Sequence, residues 1–187
     1  MRAGIRRTHE AEHGEPIFTS SSFLFESAED AEAKFSGEIA GNVYSRYTNP
    51  TVRSFEERLC ALEQGEVAAA TASGMSAILA LCMTHLRSGD HVLCSQDVFG
   101  ATVGLFDNVL KKFGVEVSFV PLTQVDAWRD AATPRTRLLF LETPSNPLNA
   151  IADLPAFAQL GRDLGAMLAV DNCFCTPALQ NPLALGA

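Results

Sequence analysis

Near its C-terminal end the chain reads "MLAVDNCFCTPALQ", an apolar run that delivers Asp171 to the point where a buried strand should open into a loop. A carboxylate there is partly desolvated, which raises its pKa unless a cation or several donors hold it ionised. From the residue alone, Asp171 either caps the following turn through Asn172 or Thr176 or stands against a protonated ring nitrogen. Three other stretches follow apolar runs in the same way. "VAAAT" leads into Ala72-Ser73-Gly74-Met75, where small residues admit close backbone approach and the free amides of a starting helix suit an anion such as phosphate. An ordinary tight turn would read identically. "HVLCS" leads into "QDVFGAT", where Phe99 could stack on a planar ligand or simply pack over a core. "RLLFLET" leads into "PSNP", where Pro144 and Pro147 stiffen a loop that presents the Asn146 amide, or form a plain turn. Neither GxGxxG nor GxxxxGK[ST] occurs at these points, which argues against a dinucleotide or a P-loop nucleotide. As a set, an anion-binding turn, a stacking aromatic, an orienting amide and a strand-end Asp match the phosphate, ring face, ring hydroxyl and pyridinium nitrogen of pyridoxal phosphate.

The elements that must position these residues alternate from about residue 50 onward. "NPTVRSFEERLCALEQG" offers Asn49 as N-cap and Pro50 at the first helical position, spaces Val52, Phe55, Leu59 and Leu62 on one face, and closes on Gly65. Strands are expected at "VAAAT", "HVLCS", "VEVSFV", "RLLFLET" and "MLAVD". Between them, helices are expected at "GMSAILALCMTHL", "ATVGLFDNVLKKF" ending at Gly114, "TQVDAWRDAA" and "DLPAFAQLGRDLG". Continuous apolar strands separated by helices predict an α/β fold with a mostly parallel sheet covered on both faces, in which ligands bind at the carboxyl ends of the strands. Residues 1–48 have no comparable period; apart from a short helix at "AEDAEAKFSG", they read as a turn-rich N-terminal arm, leaving 49–187 as the α/β part.

Composition limits the possible partners. A formal net charge of -8 and no basic run argue against nucleic acid. The five cysteines are odd in number and form no CxxC pair, as expected of reduced thiols in a cytoplasm. No apolar run approaches the ~18 residues of a membrane span, and no signal-peptide core follows the basic N-terminus.

The segments "VYSRYTNPT", "ATASGMSAI", "DVFGAT", "ETPSNP" and "AVDNCFCTPALQNPLALGA" occur in the order and at the spacings that identify the chain as resembling the Cys/Met-metabolism family of pyridoxal phosphate enzymes. The resemblance implies a fold-type-I, aspartate-aminotransferase-type large domain and a homotetramer assembled as a dimer of dimers. It implies cofactor-binding roles for Ser73, Gly74, Met75, Phe99, Asn146 and Asp171, with Asp171 and Phe99 also catalytic. Tyr44 and Arg46 would reach the phosphate of a neighbouring subunit. The implied activity is γ-replacement on an O-acylated homoserine, taken as succinyl on overall likeness, with sulfide giving homocysteine. A cystathionine γ-synthase or γ-lyase of the same family is the enzymatic alternative. Phe99, where many of the family's lyases and cystathionine synthases have Tyr, and Cys173, where Thr is common, favour the sulfhydrylase branch. The family's Schiff-base lysine lies shortly downstream of the strand-end Asp, and the only lysines here are Lys34, Lys111 and Lys112. The expectation is therefore an incomplete enzyme, truncated before the lysine and the smaller C-terminal domain. A catalytically inactive fragment that acts only through association is the non-enzymatic alternative.

Overall fold

Two strands, β1 (His91–Ser95) and β3 (Thr136–Glu142), are buried along nearly their whole length, as expected of central strands in a sheet covered on both faces. They pair in parallel, and the parallel edge strands β2 (Glu116–Val120) and β4 (Met167–Asp171) complete the order β2-β1-β3-β4. This computed structural model describes residues 3–187 and divides the chain into two compact units, one ending at Ala70 and the other spanning Thr71–Ala187. The sheet belongs to the second unit.

Period-two alternation sorts the apolar strand residues into two cores. Leu93, Leu139, Leu141 and Leu168 join Trp128 and Phe157 on one face, with α5 (Val125–Ala131) and α6 (Leu154–Leu164) supplying the cover. Val92, Cys94, Leu138 and Phe140 join Ile78, Cys82, Phe106 and Leu110 on the other, beneath α3 (Gly74–His85) and α4 (Gly100–Asn108). Aromatic pairs anchor each side: Trp128 meets Phe157 edge-on at 4.8 Å between ring centroids, and Phe106 meets Phe140 at 5.4 Å.

The expected helix over "ATVGLFDNVLKKF" is split. α4 ends at Asn108, and Leu110–Phe113 continue as a 3-10 turn that Gly114 closes with φ 80°. The positive φ favours glycine, and a Cβ there would lie 2.2 Å from Ser88 Oγ, which would have to turn away. The expected strand at "VAAAT" does not form: residues 67–71 pair with no strand among the described residues. A strand exists through its ladder bonds, and three consecutive alanines bring little β preference of their own.

At the amino ends of the strands, His91 ties three of them together. Its Nδ1 lies 2.8 Å from Thr136 Oγ1 and its Nε2 lies 3.0 Å from Ser118 Oγ, so β1 is stitched to β3 and to β2 by one buried imidazole.

In the first unit, α1 (Ala28–Ser36) is N-capped by Ser27, and α2 (Pro50–Glu63) is capped as the sequence predicts, with Asn49 Oδ1 accepting from the Thr51 amide at 2.8 Å. Its other end differs: Gln64, with φ 58°, makes the left-handed turn that the sequence assigns to Gly65. Among the described residues no helix is long and apolar enough to cross a membrane, and no cluster of His, Cys, Asp or Glu could hold a metal ion.

Candidate functional site

The chain leaves β1 for α4 and β2, then crosses back over β1 to reach β3. The connections therefore diverge between β1 and β3, and in sheets of this kind the ligand crevice lies at such a divergence, at the carboxyl ends of the strands. The candidate residues of the second unit lie at the start of α3 and where β1, β3 and β4 end.

Ser73 caps α3 through a reciprocal capping box: its Oγ accepts from the Ser76 amide at 3.2 Å, and Ser76 Oγ accepts from the Ser73 amide at 3.0 Å. The Gly74 and Met75 amides, at the first two helical positions, lie before any carbonyl of the helix can reach them. They are the donors left for an anion. A Cβ at Gly74 would meet nothing within 4 Å, so the space before this turn is open. Met75 Sδ lies 3.9 Å from Thr102 Oγ1, which brings the start of α3 beside the first turn of α4.

Phe99 is the residue immediately before α4, and its side chain is 47% exposed. The loop beneath it is fixed. The Gln96 amide donates to Val120 O (3.0 Å), the Asp97 amide to Ser95 Oγ (3.1 Å) and the Leu122 amide to Asp97 Oδ2 (3.1 Å), while Val98 is buried. Phe99's own amide donates to Glu142 Oε2 at 2.7 Å.

Glu142 ends β3 and stands at the paired position to Asp171, which ends β4. Sequence reading did not single it out, although "LFLE" delivers an acid to a strand end as "LAVD" does. Burial pushes its carboxyl pKa up, the Phe99 N–H opposes that, and the charge of Asp171 adds to it. Asp171 is half-buried. Its Oδ1 accepts from the Cys173 amide at 3.1 Å, so it does cap the turn that follows, though through Cys173 and not through Asn172 or Thr176. Desolvation, the Asp171 charge, a hydrogen bond to that carboxylate and the charge of Glu142 together push the Cys173 thiol up to about 11.

Asn146 is half-buried in a loop built on cis peptides before Pro144 and Pro147. Ser145 holds the loop closed, its amide donating to Ala150 O and its Oγ accepting from the Ala150 amide, each at 3.0 Å. Tyr44 and Arg46 belong to the first unit. Tyr44 bridges antiparallel to Ser22, and the Arg46 guanidinium lies 5.5 Å from the Tyr44 ring centroid. Of the lysines, Lys34 pairs with Asp30, Lys111 pairs with Asp107, and Lys111 and Lys112 lie in the turn leading to the amino end of β2, away from the crevice.

Orphan amides on an open helix start, an exposed aromatic on a rigid loop, a loop amide and a strand-end carboxylate form a donor and acceptor set that fits pyridoxal phosphate. Comparison with known proteins agrees. The model of the Cys/Met metabolism PLP-dependent enzyme family matches residues 1–187. An O-succinylhomoserine sulfhydrylase of Pseudomonas aeruginosa is 61% identical over all of this chain and 46% of its own length. An L-methionine gamma-lyase of Fusobacterium nucleatum is 43% identical over 92% of this chain and 44% of its own. A crystal structure described as an O-acetylhomoserine (thiol)-lyase of Campylobacter jejuni, which carries a pyridoxyl-lysine monophosphate, superposes with a TM-score of 0.92 at 30% identity, over 98% of this chain and 45% of that one. The chain thus has the fold-type-I architecture and spans about half the length of the relatives it matches.

Proposed function

The chain belongs to the Cys/Met-metabolism family of pyridoxal-phosphate-dependent enzymes, and on that premise we propose that the complete protein carrying it replaces the succinyloxy group on Cγ of O-succinylhomoserine with sulfide, breaking the Cγ–O bond, forming a Cγ–S bond and releasing succinate and homocysteine. The observation that carries this reading is the identity along the whole chain to a sulfhydrylase of that name. Phe99, which stacks without a hydroxyl, supports the same branch.

When bound, the cofactor supplies an electron sink for the carbanion that forms beside the substrate amine. The chain's own residues bind and orient it. The Gly74 and Met75 amides, beside Ser73, hold the phosphate at the positive end of α3. Phe99 would cover the ring face and Asn146 would hydrogen-bond the ring hydroxyl. Asp171, as an anion, keeps a proton on the ring nitrogen. Tyr44 and Arg46 reach the phosphate of the neighbouring subunit in a dimer of dimers. The Schiff-base lysine comes from the complete polypeptide, downstream of Asp171.

The test supplies the complete protein with O-succinylhomoserine plus sulfide, with O-succinylhomoserine plus cysteine, or with methionine alone, and identifies the products. Homocysteine as the dominant product is expected. Cystathionine from cysteine, or breakdown of methionine, at a higher kcat/KM would move the protein to the synthase or lyase branch instead.

A further inference from the structure

Glu142 is 2% exposed at the crevice between β1 and β3, and it is absent from the roles just given. A buried carboxyl group is costly unless something nearby uses its hydrogen-bonding capacity. Here the use is specific. The loop from Gln96 to Phe99 is tied to β1 and to the β2 end through the Gln96 amide and the amide and carboxylate of Asp97. Its tie to β3 is the 2.7 Å bond from the Phe99 amide to Glu142 Oε2. Phe99 stands at the N-cap of α4, with φ -51° and ψ 137° and no side-chain cap of its own, so its amide lies outside the helical ladder. Without Glu142 that donor would face the crevice unpaired.

We propose that Glu142 is the positioning residue for Phe99: its carboxyl group clamps the Phe99 amide across the crevice and so sets the plane of the aromatic ring against the cofactor. The proposal rests on the stacking role given to Phe99 above. Burial and the charge of Asp171 raise the Glu142 pKa, yet an oxygen remains to accept the amide in either protonation state, so the clamp depends on reach and not on charge.

The discriminating substitutions are therefore Glu142→Gln, which keeps the reach and the acceptor without the charge, and Glu142→Asp, which keeps the charge and loses the reach. In the complete protein, the cofactor dissociation constant and the visible circular dichroism of the bound cofactor are read, with thermal midpoints recorded alongside. E142Q is expected to bind within about threefold of wild type. E142D is expected to bind about tenfold more weakly, the scale of one lost hydrogen bond, with diminished dichroism. In a Phe99→Leu background E142D should add nothing further, because its effect passes through the ring. Wild-type affinity and dichroism in E142D, equal losses in E142Q and E142D, or an undiminished E142D effect in the Phe99→Leu background would each overturn the clamp. A Phe99→Leu protein with unchanged readouts would instead remove the stacking role itself, and the proposal with it. Hydrogen exchange probes the bond in the unsubstituted protein: the Phe99 amide should be protected, and rapid exchange overturns the clamp.

Discussion

Asp171 and Glu142 end neighbouring parallel strands at paired positions, and their surroundings push them toward different tasks. Glu142 is buried and engaged with a backbone amide, so its proton is held more tightly than an ordinary carboxyl's. Asp171 is half-buried, with Oδ1 anchored by the Cys173 amide, and so keeps part of its contact with water. Cys173 is exposed, but with its thiol pushed up to about 11 it is a neutral hydrogen-bond donor near pH 7 and not a nucleophile. Replacing Asp171 by Asn keeps the shape and the turn-capping oxygen while removing the negative charge. In the complete protein, Asp171→Asn is expected to lower kcat by about two orders of magnitude or more with cofactor still bound, as seen by visible absorbance. Near-normal kcat with cofactor present would remove Asp171 from the chemistry.

At the scale of elements, the sheet carries a pH dependence of its own through His91. Desolvation lowers its pKa, with Glu116 raising it and Arg135 lowering it again in smaller measure. Those two charges pair with each other at 2.6 Å near the same strand ends. Because the folded pKa lies below the unfolded one, the unfolded chain binds more protons as the pH falls through about 6.5. Stability from the neutral imidazole is complete above that value and declines below it. Urea midpoints of the complete protein should therefore fall between pH 7 and 5, and His91→Gln, which cannot titrate, should flatten that slope while lowering the midpoint at pH 7. An equal slope in the variant would place the dependence elsewhere. The same scale shows where local pattern stops being informative. "HVLCS" and "MLAVD" form strands with the expected boundaries, because each run is apolar and finds a neighbour. "VAAAT" has the same look in one dimension and no partner among the described residues.

At the scale of the whole molecule, large apolar side chains remain in water in both units: Leu24 at 97% and Ile17 at 79% in the first, Leu179 at 82% and Leu148 at 73% in the second. β4 also lies at an edge of the sheet, with one row of backbone groups open to another strand. An open edge of this kind is a template for pairing with another chain. Prepared as the 187-residue polypeptide, the chain is expected to self-associate at micromolar concentration, and the complete protein to sediment as a discrete homo-oligomer. A stable 20.1 kDa monomer in sedimentation velocity would contradict the first expectation.

Periodicity and motif spacing determined the α/β class, the parallel sheet covered on both faces and the row of residues at the strand ends, because burial writes itself into sequence as runs of period two and 3.6. The positions of Ser73, Gly74 and Met75 at the start of α3, and of Phe99, Asn146 and Asp171 where β1, β3 and β4 end, were legible for the same reason. Glu142 stands at a strand end too, but its meaning depends on a partner 43 residues away in the chain, the Phe99 amide, which only the β2-β1-β3-β4 order places within 2.7 Å. The three-strand tie at His91 and the missing partner of residues 67–71 are likewise decided by which strands become neighbours. That choice is made by tertiary packing, which joins residues distant in sequence, and no local pattern encodes it.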